Sequence, residues 1–532
     1  MTPPVSGPDD TPRLWPQPKQ LLLGEDADDL FLGPDTFSIE YDETDDILVY
    51  NTAYYMIEMF KRKPFGDAPS GTSIKKLIIN VEALADQTTY PTLGMDESYT
   101  LTHSEGKQEI VLEAKTSFGA IRGLETFSQL LQMNRGFVIK KGAGLQIEDA
   151  PKYPWRGLML DPARHYITVP EVKKQIDAMS QNKLNVLHMH FTDGESFTID
   201  TSEWPKFSNI SEFGSYHPSL TYSKSDLQSI VEYARLRGVR VIPEFDHPAH
   251  MASWSLSHPS LLADCPTVNP HPEWPRYYSP ADVTNPLVYE VFDTLLSEIG
   301  GIFPDPYFHV GGDEPHYDCW AADENIVAWA NSQGYNTDTD LYNYYQRGLG
   351  EILKRYNKTT HGWAEIFSVE GASVPSDAVV EVWQGNDQIT DTISGGYKTI
   401  VSSDWYLDLG GDWTKFYASD PASYLGADGD PDGLLLGGES CMWNAAFDER
   451  TNMDAAIWPN AAAAAEILWT GVLEDVDKAR TRLSQQRCRM VRRGVRAAPI
   501  AEDYCGDDLY VRKSLTYYYT CDFPASPETP PP

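Results

Sequence analysis

The 532-residue chain carries a formal charge of −36 and is 41% hydrophobic, enough for about two to four folded domains. So acidic a balance excludes nucleic acid and anionic membrane surfaces as partners. No apolar run is long enough to span a bilayer. The 14 Trp and 30 Tyr suit stacking on sugar rings as well as core packing.

Taken in order, residues 1–17 are Pro-rich and polar and read as an N-terminal tail. The opening Met1-Thr2-Pro3-Pro4 lacks the basic segment and apolar core of a signal peptide. From 18 to 150 short apolar runs alternate with turns. Strands are expected at Ile74 to Val81, Tyr99 to His103 and Glu109 to Ala114. A helix is expected over Phe118 to Leu131, where Phe118, Ile121, Leu124, Phe127 and Leu131 share one face. This is an α+β domain, expected to hold an antiparallel sheet, and Pro151 and Pro154 mark its end.

The rhythm changes at 151. Strands are expected at Gly157–Leu160, Val186–Thr192, Val239–Phe245 and Tyr307–Val310, then near 360–364, 379–383, 398–405 and 433–437. Helices are expected at Val169–Gln181, Lys224–Leu236, Leu287–Ile302 and about Pro459–Arg493. Eight strands mostly separated by helices predict a (β/α)8 TIM barrel over 151–505, in the α/β class, with 506–532 left as a C-terminal tail.

Barrel chemistry sits at the C-terminal strand ends, and the reactive residues fall there: Asp161 with Arg164 and His165, then Asp193, then the run Asp246 to His250. Asp313-Glu314, Trp363 with Glu365, Trp383, Tyr406 with Asp408, and Glu439 with Trp443 follow. In Gly311-Gly312-Asp313-Glu314 two glycines release the strand's alternation, so both carboxylates can face one cavity. Two carboxylates in one pocket push their pKa values apart, which is the equipment of acid-catalysed glycosyl transfer. The alternative is the acidic first turn of a helix running from His316 toward Trp329.

Trp155-Arg156-Gly157, Asp161-Pro162-Ala163-Arg164-His165-Tyr166, Asn182-Lys183-Leu184-Asn185, His309 to Glu314 and Gly437-Gly438-Glu439 together resemble the β-N-acetylhexosaminidases of glycoside hydrolase family 20, in particular their eukaryotic lysosomal and secreted branch. The likeness runs from Leu14-Trp15-Pro16 to about Cys505. It implies exo-acting removal of terminal β-linked GlcNAc or GalNAc with retention, the substrate's own acetamido oxygen acting as nucleophile. Glu314 would be the acid and later the base, Asp313 would steer the acetamido group, and Tyr406 would donate to its oxygen. Arg164 would fork onto the 3- and 4-hydroxyls. Trp363, Trp383 and Trp443 would wall the acetamido pocket, Asp408 would hold the 6-hydroxyl, and Asp193 with His250 would support Glu314.

The resemblance further implies no cofactor, disulfides Cys265–Cys319 and Cys488–Cys505, a homodimer, and a secreted or lysosome-like acidic location. That location agrees with glycosylation acceptors at Asn209 and Asn357. Cys441 is expected as a buried thiol and Cys521 has no assigned partner.

The chain departs from the family pattern twice. Trp443 is followed by Asn444-Ala445 in place of Gly-Glu, so the Glu contact to the 4- and 6-hydroxyls is either missing or supplied elsewhere, for instance by Glu449. The second strand ends in Asp193-Gly194 rather than Asp-Asp. Asp408-Leu409 resembles the subunit type that handles neutral sugars. Two competing readings stay open: a metal-dependent hydrolase built on His188, His190, His309, Asp313 and His316, and a barrel that binds glycans or chitin without turnover.

Overall fold

The computed structural model describes residues 12–505 apart from 25–26, 34–35, 61–70, 132–136, 203, 205–206, 208, 269–277, 373, 426–428, 472–473 and 501–504. Residues 506–532, and Cys521 with them, lie outside the described residues. Eight parallel strands close a barrel: β1 (Trp155–Leu160), β2 (Val186–His190), β3 (Arg240–Glu244), β4 (Tyr307–His309), β5 (Thr359–Trp363), β6 (Val379–Val382), β7 (Lys398–Val401) and β8 (Leu435–Met442).

Every second strand residue points inward, and the interior is layered. At the bottom Trp155, Val186, Ile242, Tyr307, Val379, Ile400 and Leu436 form an apolar plug. Above it lies a fully buried layer of His188, His309, His361, Glu244, Glu381 and Glu439. At the top Met159, Trp363 and Cys441 meet Trp383, Tyr406 and Trp443.

The small domain holds a six-stranded sheet in the order Gln20–Leu22, Gln146–Asp149, Tyr99–Thr102, Glu109–Thr116, Lys76–Ala83, Ser38–Glu40. The expected antiparallel sheet is mixed: the pairings of Lys76–Ala83 with both its neighbours are parallel. Thr72–Ile74, Leu30–Leu32 and Phe137–Ile139 form a second sheet. A helix over Asp46–Phe60 was not legible in the sequence. It starts where Asp45 accepts from the backbone N–H groups of Ile47 and Leu48, a cap followed by too few polar positions to show a clear stripe.

Two buried ionic clusters fasten this domain to the barrel. Glu97 pairs with Arg122 at 2.9 Å and with Arg156 of β1 at 2.7 Å, and Arg122 also donates to the carbonyls of Arg237 and Gly238. Lys183 meets Asp149 at 2.8 Å with both side chains fully buried. The stretch read as a tail is anchored from residue 12: Trp15 is wholly buried and its indole donates to the Ala462 carbonyl.

Element ends moved where tertiary contacts outweigh local signals. β7 stops at Val401, and the chain turns so that Tyr406 bridges to Cys441. β8 runs through Gly437-Gly438 to Met442. A Cβ at Gly438 would fall 2.2 Å from the Trp405 ring, so this glycine serves close packing rather than a strand end. The last helical region divides into Asn460–Thr470 and Val476–Arg492 after Gly471 takes a left-handed conformation.

Candidate active site

Asp313 and Glu314 are not in a helix. Helix Tyr317–Ala322 begins after them, and Asp323 caps a second helix, Glu324–Gln333. Instead Gly311 and Gly312 leave β4 with φ of +66° and +106°, and Glu314 itself sits at φ +48°. Left-handed backbone in a non-glycine residue is uncommon and persists where surroundings over-determine it. Here they do. The Gly311 carbonyl accepts from the Trp363 N–H at 2.9 Å, and the Gly312 carbonyl accepts from the Tyr342 hydroxyl at 2.6 Å.

The turn brings both carboxylates onto one imidazole. His250 Nε2 lies 3.6 Å from Asp313 Oδ2 and 3.5 Å from Glu314 Oε2. Its Nδ1 faces Asp193 Oδ1 at 3.3 Å, and Asp193 Oδ2 pairs with Arg164 Nη2 at 2.5 Å. One continuous line of alternating charge therefore runs from Arg164 through Asp193 and His250 to the carboxylate pair. Gly194, next along the chain from Asp193, adds no carboxylate to this line.

The electrostatics follow from burial and neighbours. Burial pushes Asp313 up, against the pull of the His250 charge. The His250 imidazole 3.5 Å away holds Glu314 below the usual carboxylate range, burial opposing it. Burial disfavours the charged His250, yet Asp193, Asp246 and Asp313 together hold its pKa well above the ordinary value. Asp193 is held well down by Arg164 and His250 despite its burial. Glu365 is pushed up to about 7 by burial and by the Asp313 charge.

The aromatic residues form a box. Trp363 and Trp443 lie 5.8 Å apart, Tyr406 and Trp443 6.3 Å, and Trp383 stacks toward Tyr406 at 6.3 Å. Trp363 is the buried floor, its indole donating to Glu244 at 2.9 Å. Trp383 donates to Glu365 at 3.0 Å. Asp408 stands at the rim, and among the described residues its buried Oδ1 has no hydrogen-bond partner.

Arg164 is more committed than a free hydroxyl fork. Besides Asp193 it meets Asp161 at 3.4 Å and Glu195 at 3.2 Å, and its guanidinium lies 4.9 Å over the Trp443 ring. Glu449 does not replace the acid missing after Trp443. Its carboxylate accepts from the Thr168 N–H at 2.7 Å and hydroxyl at 2.8 Å, at the start of helix Val169–Gln181.

The histidines that raised the metal reading are partners of buried carboxylates. His188 meets Glu439 at 2.7 Å and Glu244 at 3.0 Å, His190 meets Glu244 at 2.5 Å, and His309 meets Glu244 at 2.9 Å. His316 instead packs edge-on against Tyr278. Disulfides join Cys265 to Cys319 and Cys488 to Cys505, and Cys441 is a buried free thiol. Asn357 is exposed and Asn209 half-buried.

Sequence reasoning assigned no role to Asp246, Glu244 or Glu195. Asp246 is buried beneath Gly311 and faces Asp313 and His250. Strand parity was the available signal, because Glu244 and Asp246 are two apart and share the inward face.

A parallel barrel carrying a carboxylate pair over a tryptophan-lined hole defines a glycoside hydrolase. Residues 153–472 match the catalytic domain of glycosyl hydrolase family 20, and residues 14–130 match a domain described as "beta-acetyl hexosaminidase like". The chain is 34% identical over 514 residues to the beta-hexosaminidase subunit beta of Mus musculus, covering 93% of each. It is 34% identical over 460 residues to beta-hexosaminidase subunit A1 of Dictyostelium discoideum, covering 84% of this chain and 83% of that one. Among solved structures a chitobiase from Flavobacterium johnsoniae superposes with a TM-score of 0.79 at 28% identity, over 92% of this chain and 74% of its own. The chain belongs to glycosyl hydrolase family 20, and its activity is that of a β-N-acetylhexosaminidase.

Proposed function

We propose that this enzyme removes terminal non-reducing β-GlcNAc and β-GalNAc from oligosaccharides with Glu314 as acid and base and Asp313 as the residue that orients the acetamido group. Family 20 hydrolysis is substrate-assisted, the acetamido oxygen closing on the anomeric carbon to give an oxazolinium ion. Glu314 protonates the departing glycosidic oxygen, then takes a proton from the incoming water. Its side chain is 56% exposed without substrate, and a seated sugar removes that water, which raises its pKa against the effect of His250. Asp313, 12% exposed, accepts from the acetamido N–H and stabilises the positive charge that grows there.

Tyr406 donates to the acetamido oxygen, and Trp363, Trp383 and Trp443 enclose the methyl group. Arg164 holds the 3- and 4-hydroxyls and Asp408 the 6-hydroxyl, while Asp193 and His250 position Glu314. The observation that carries this assignment is the convergence of both carboxylates on His250 Nε2 beside the aromatic box. Retained acid, steering carboxylate and box together also favour turnover over simple glycan binding.

The test is Glu314→Gln. Loss of general acid catalysis lowers turnover of chitobiose by about 10²–10⁴-fold, and much less for an aryl glycoside whose leaving group needs little protonation. Wild-type rates on chitobiose would refute the role. GlcNAc is the preferred sugar and acidic pH the working range. A secreted or lysosome-like location is supported by the two disulfides and by acceptors at Asn209 and Asn357. A homodimer is the proposed assembly.

A further inference from the structure

We propose that Glu365 decides how large an N-acyl group the enzyme accepts, by holding Trp383 in place as the wall of the acetamido pocket; this rests on the seating of the acetamido methyl among the tryptophans given above. Glu365 is a positioning residue, acting through the indole and not on the sugar. An indole has one N–H and so one hydrogen bond to anchor its ring edge. A ring anchored at that edge and stacked on one face presents a fixed surface to whatever lies against it.

The three tryptophans are held in different ways. Trp363 is buried and donates to Glu244 in the barrel interior at 2.9 Å. Trp443 carries the Arg164 guanidinium 4.9 Å over its ring. Trp383 is half-buried and stacks toward Tyr406 at 6.3 Å, the two rings 22° from parallel. Its indole donates to Glu365 Oε2 at 3.0 Å, and the side-chain amide of Gln384 donates to Glu365 Oε1 at 2.9 Å. The two carboxylate oxygens therefore hold the two residues that follow β6, one each.

Glu365 is a fixed point because of where its own backbone lies. It is buried and opens the short helix Glu365–Ser368 just past β5. The next residue, Ile366, packs on Gly312, where a Cβ would fall 2.7 Å from Ile366 Cγ2, and the Trp363 N–H holds the Gly311 carbonyl. Segment 363–366 thus backs the turn that carries Asp313, and Glu365 ties the Trp383 wall to that same segment. The Asp313 charge and Glu365 also bear on each other. That effect is common to every acyl group, so the ratio between acyl groups isolates the wall.

The experiment compares wild type with Glu365→Ala and Glu365→Gln on p-nitrophenyl β-glucosaminides carrying N-acetyl, N-propionyl and N-butyryl groups. Expected for Glu365→Ala is a roughly ten- to hundredfold fall in kcat/KM on the N-acetyl substrate. The N-butyryl substrate loses less, so the acetyl-to-butyryl ratio moves about tenfold toward one. Glu365→Gln, which keeps one acceptor oxygen, falls between. Trp383→Phe deletes the indole N–H, so on that background Glu365→Gln should change the ratio by less than about twofold. Equal losses on all three acyl groups would overturn the proposal and leave Glu365 as a prop for the fold. Unchanged kinetics would overturn it too, as would a Glu365→Gln effect on the ratio as large with Phe at 383 as with Trp. A wild type that hydrolyses none of the three substrates would instead remove the underlying assignment, so the two failures are distinct.

Discussion

Gly311 is the position where backbone geometry and chemistry are hardest to separate, and Gly311→Ala tests the link. A Cβ there would fall 1.8 Å from Asp246 Oδ1, where an ordinary contact begins near 3.4 Å, a shortfall of about 1.6 Å. The φ of +66° adds about 1–2 kcal/mol of left-handed strain for a residue with a Cβ. The overlap cannot be relieved by swinging a flexible tip into solvent, because Asp246 is buried. Either Asp246 retreats from Asp313, or the turn carrying Asp313 and Glu314 shifts by about an ångström. Misplacement on that scale costs about 10²-fold in rate.

The expected result is a fall of about 10²-fold in kcat/KM on p-nitrophenyl GlcNAc. The stability loss, measured by thermal unfolding, should match the strain and not a collapsed core. Combining Gly311→Ala with Asp246→Ala removes the overlapping oxygen, so the second change should cost the Gly311→Ala background less activity than it costs wild type. Activity within threefold of wild type in Gly311→Ala would refute the reasoning.

His250→Asn removes the cation facing both carboxylates while keeping a residue that tolerates φ of +56°. His250 lowers both Glu314 and Asp313, so both pKa values rise without it. The basic limb of kcat/KM, where Glu314 loses its proton, and the acid limb, where Asp313 gains one, should both move to higher pH. A pH profile that stays in place contradicts the coupling. At the domain junction, Lys183→Met strands the buried Asp149 carboxylate and should cost about 3–5 kcal/mol of stability, read from denaturant unfolding. A loss under 1 kcal/mol would show that Trp469 and Tyr99, which also donate to Asp149, suffice.

Much of the barrel was legible because its signals are local. The helix Val169–Gln181 has the limits its apolar spacing implies, and the reactive residues cluster just past strands whose alternation is visible in His188 and His190. Glycine was the least readable residue. Gly311-Gly312 ends a strand, whereas Gly437-Gly438 lies within one, and the difference is the Trp405 ring packed against Gly438, a residue more than thirty positions away. The first domain was read in part: strands Lys76–Ala83, Tyr99–Thr102 and Glu109–Thr116 and helix Ser117–Leu130 lie where the sequence placed them, and the rest was missed for a related reason. Its strands Gln20–Leu22, Leu30–Leu32 and Ser38–Glu40 are too short for alternation to show, and their partners lie far along the chain.

Sequence by itself determined the residue types at each strand end, hence the carboxylate pair, the tryptophans and Arg164, because side-chain chemistry and strand parity are properties of short stretches. Tertiary structure decided how those groups share charge: that Asp193 serves both Arg164 and His250, that Asp246 lies under Gly311, that Glu449 belongs to a helix start, and that Glu195 reaches Arg164. Such pairings follow from where loops of different strands meet in space, and an electrostatic partner is chosen by a few ångströms of distance, which no spacing along the chain encodes.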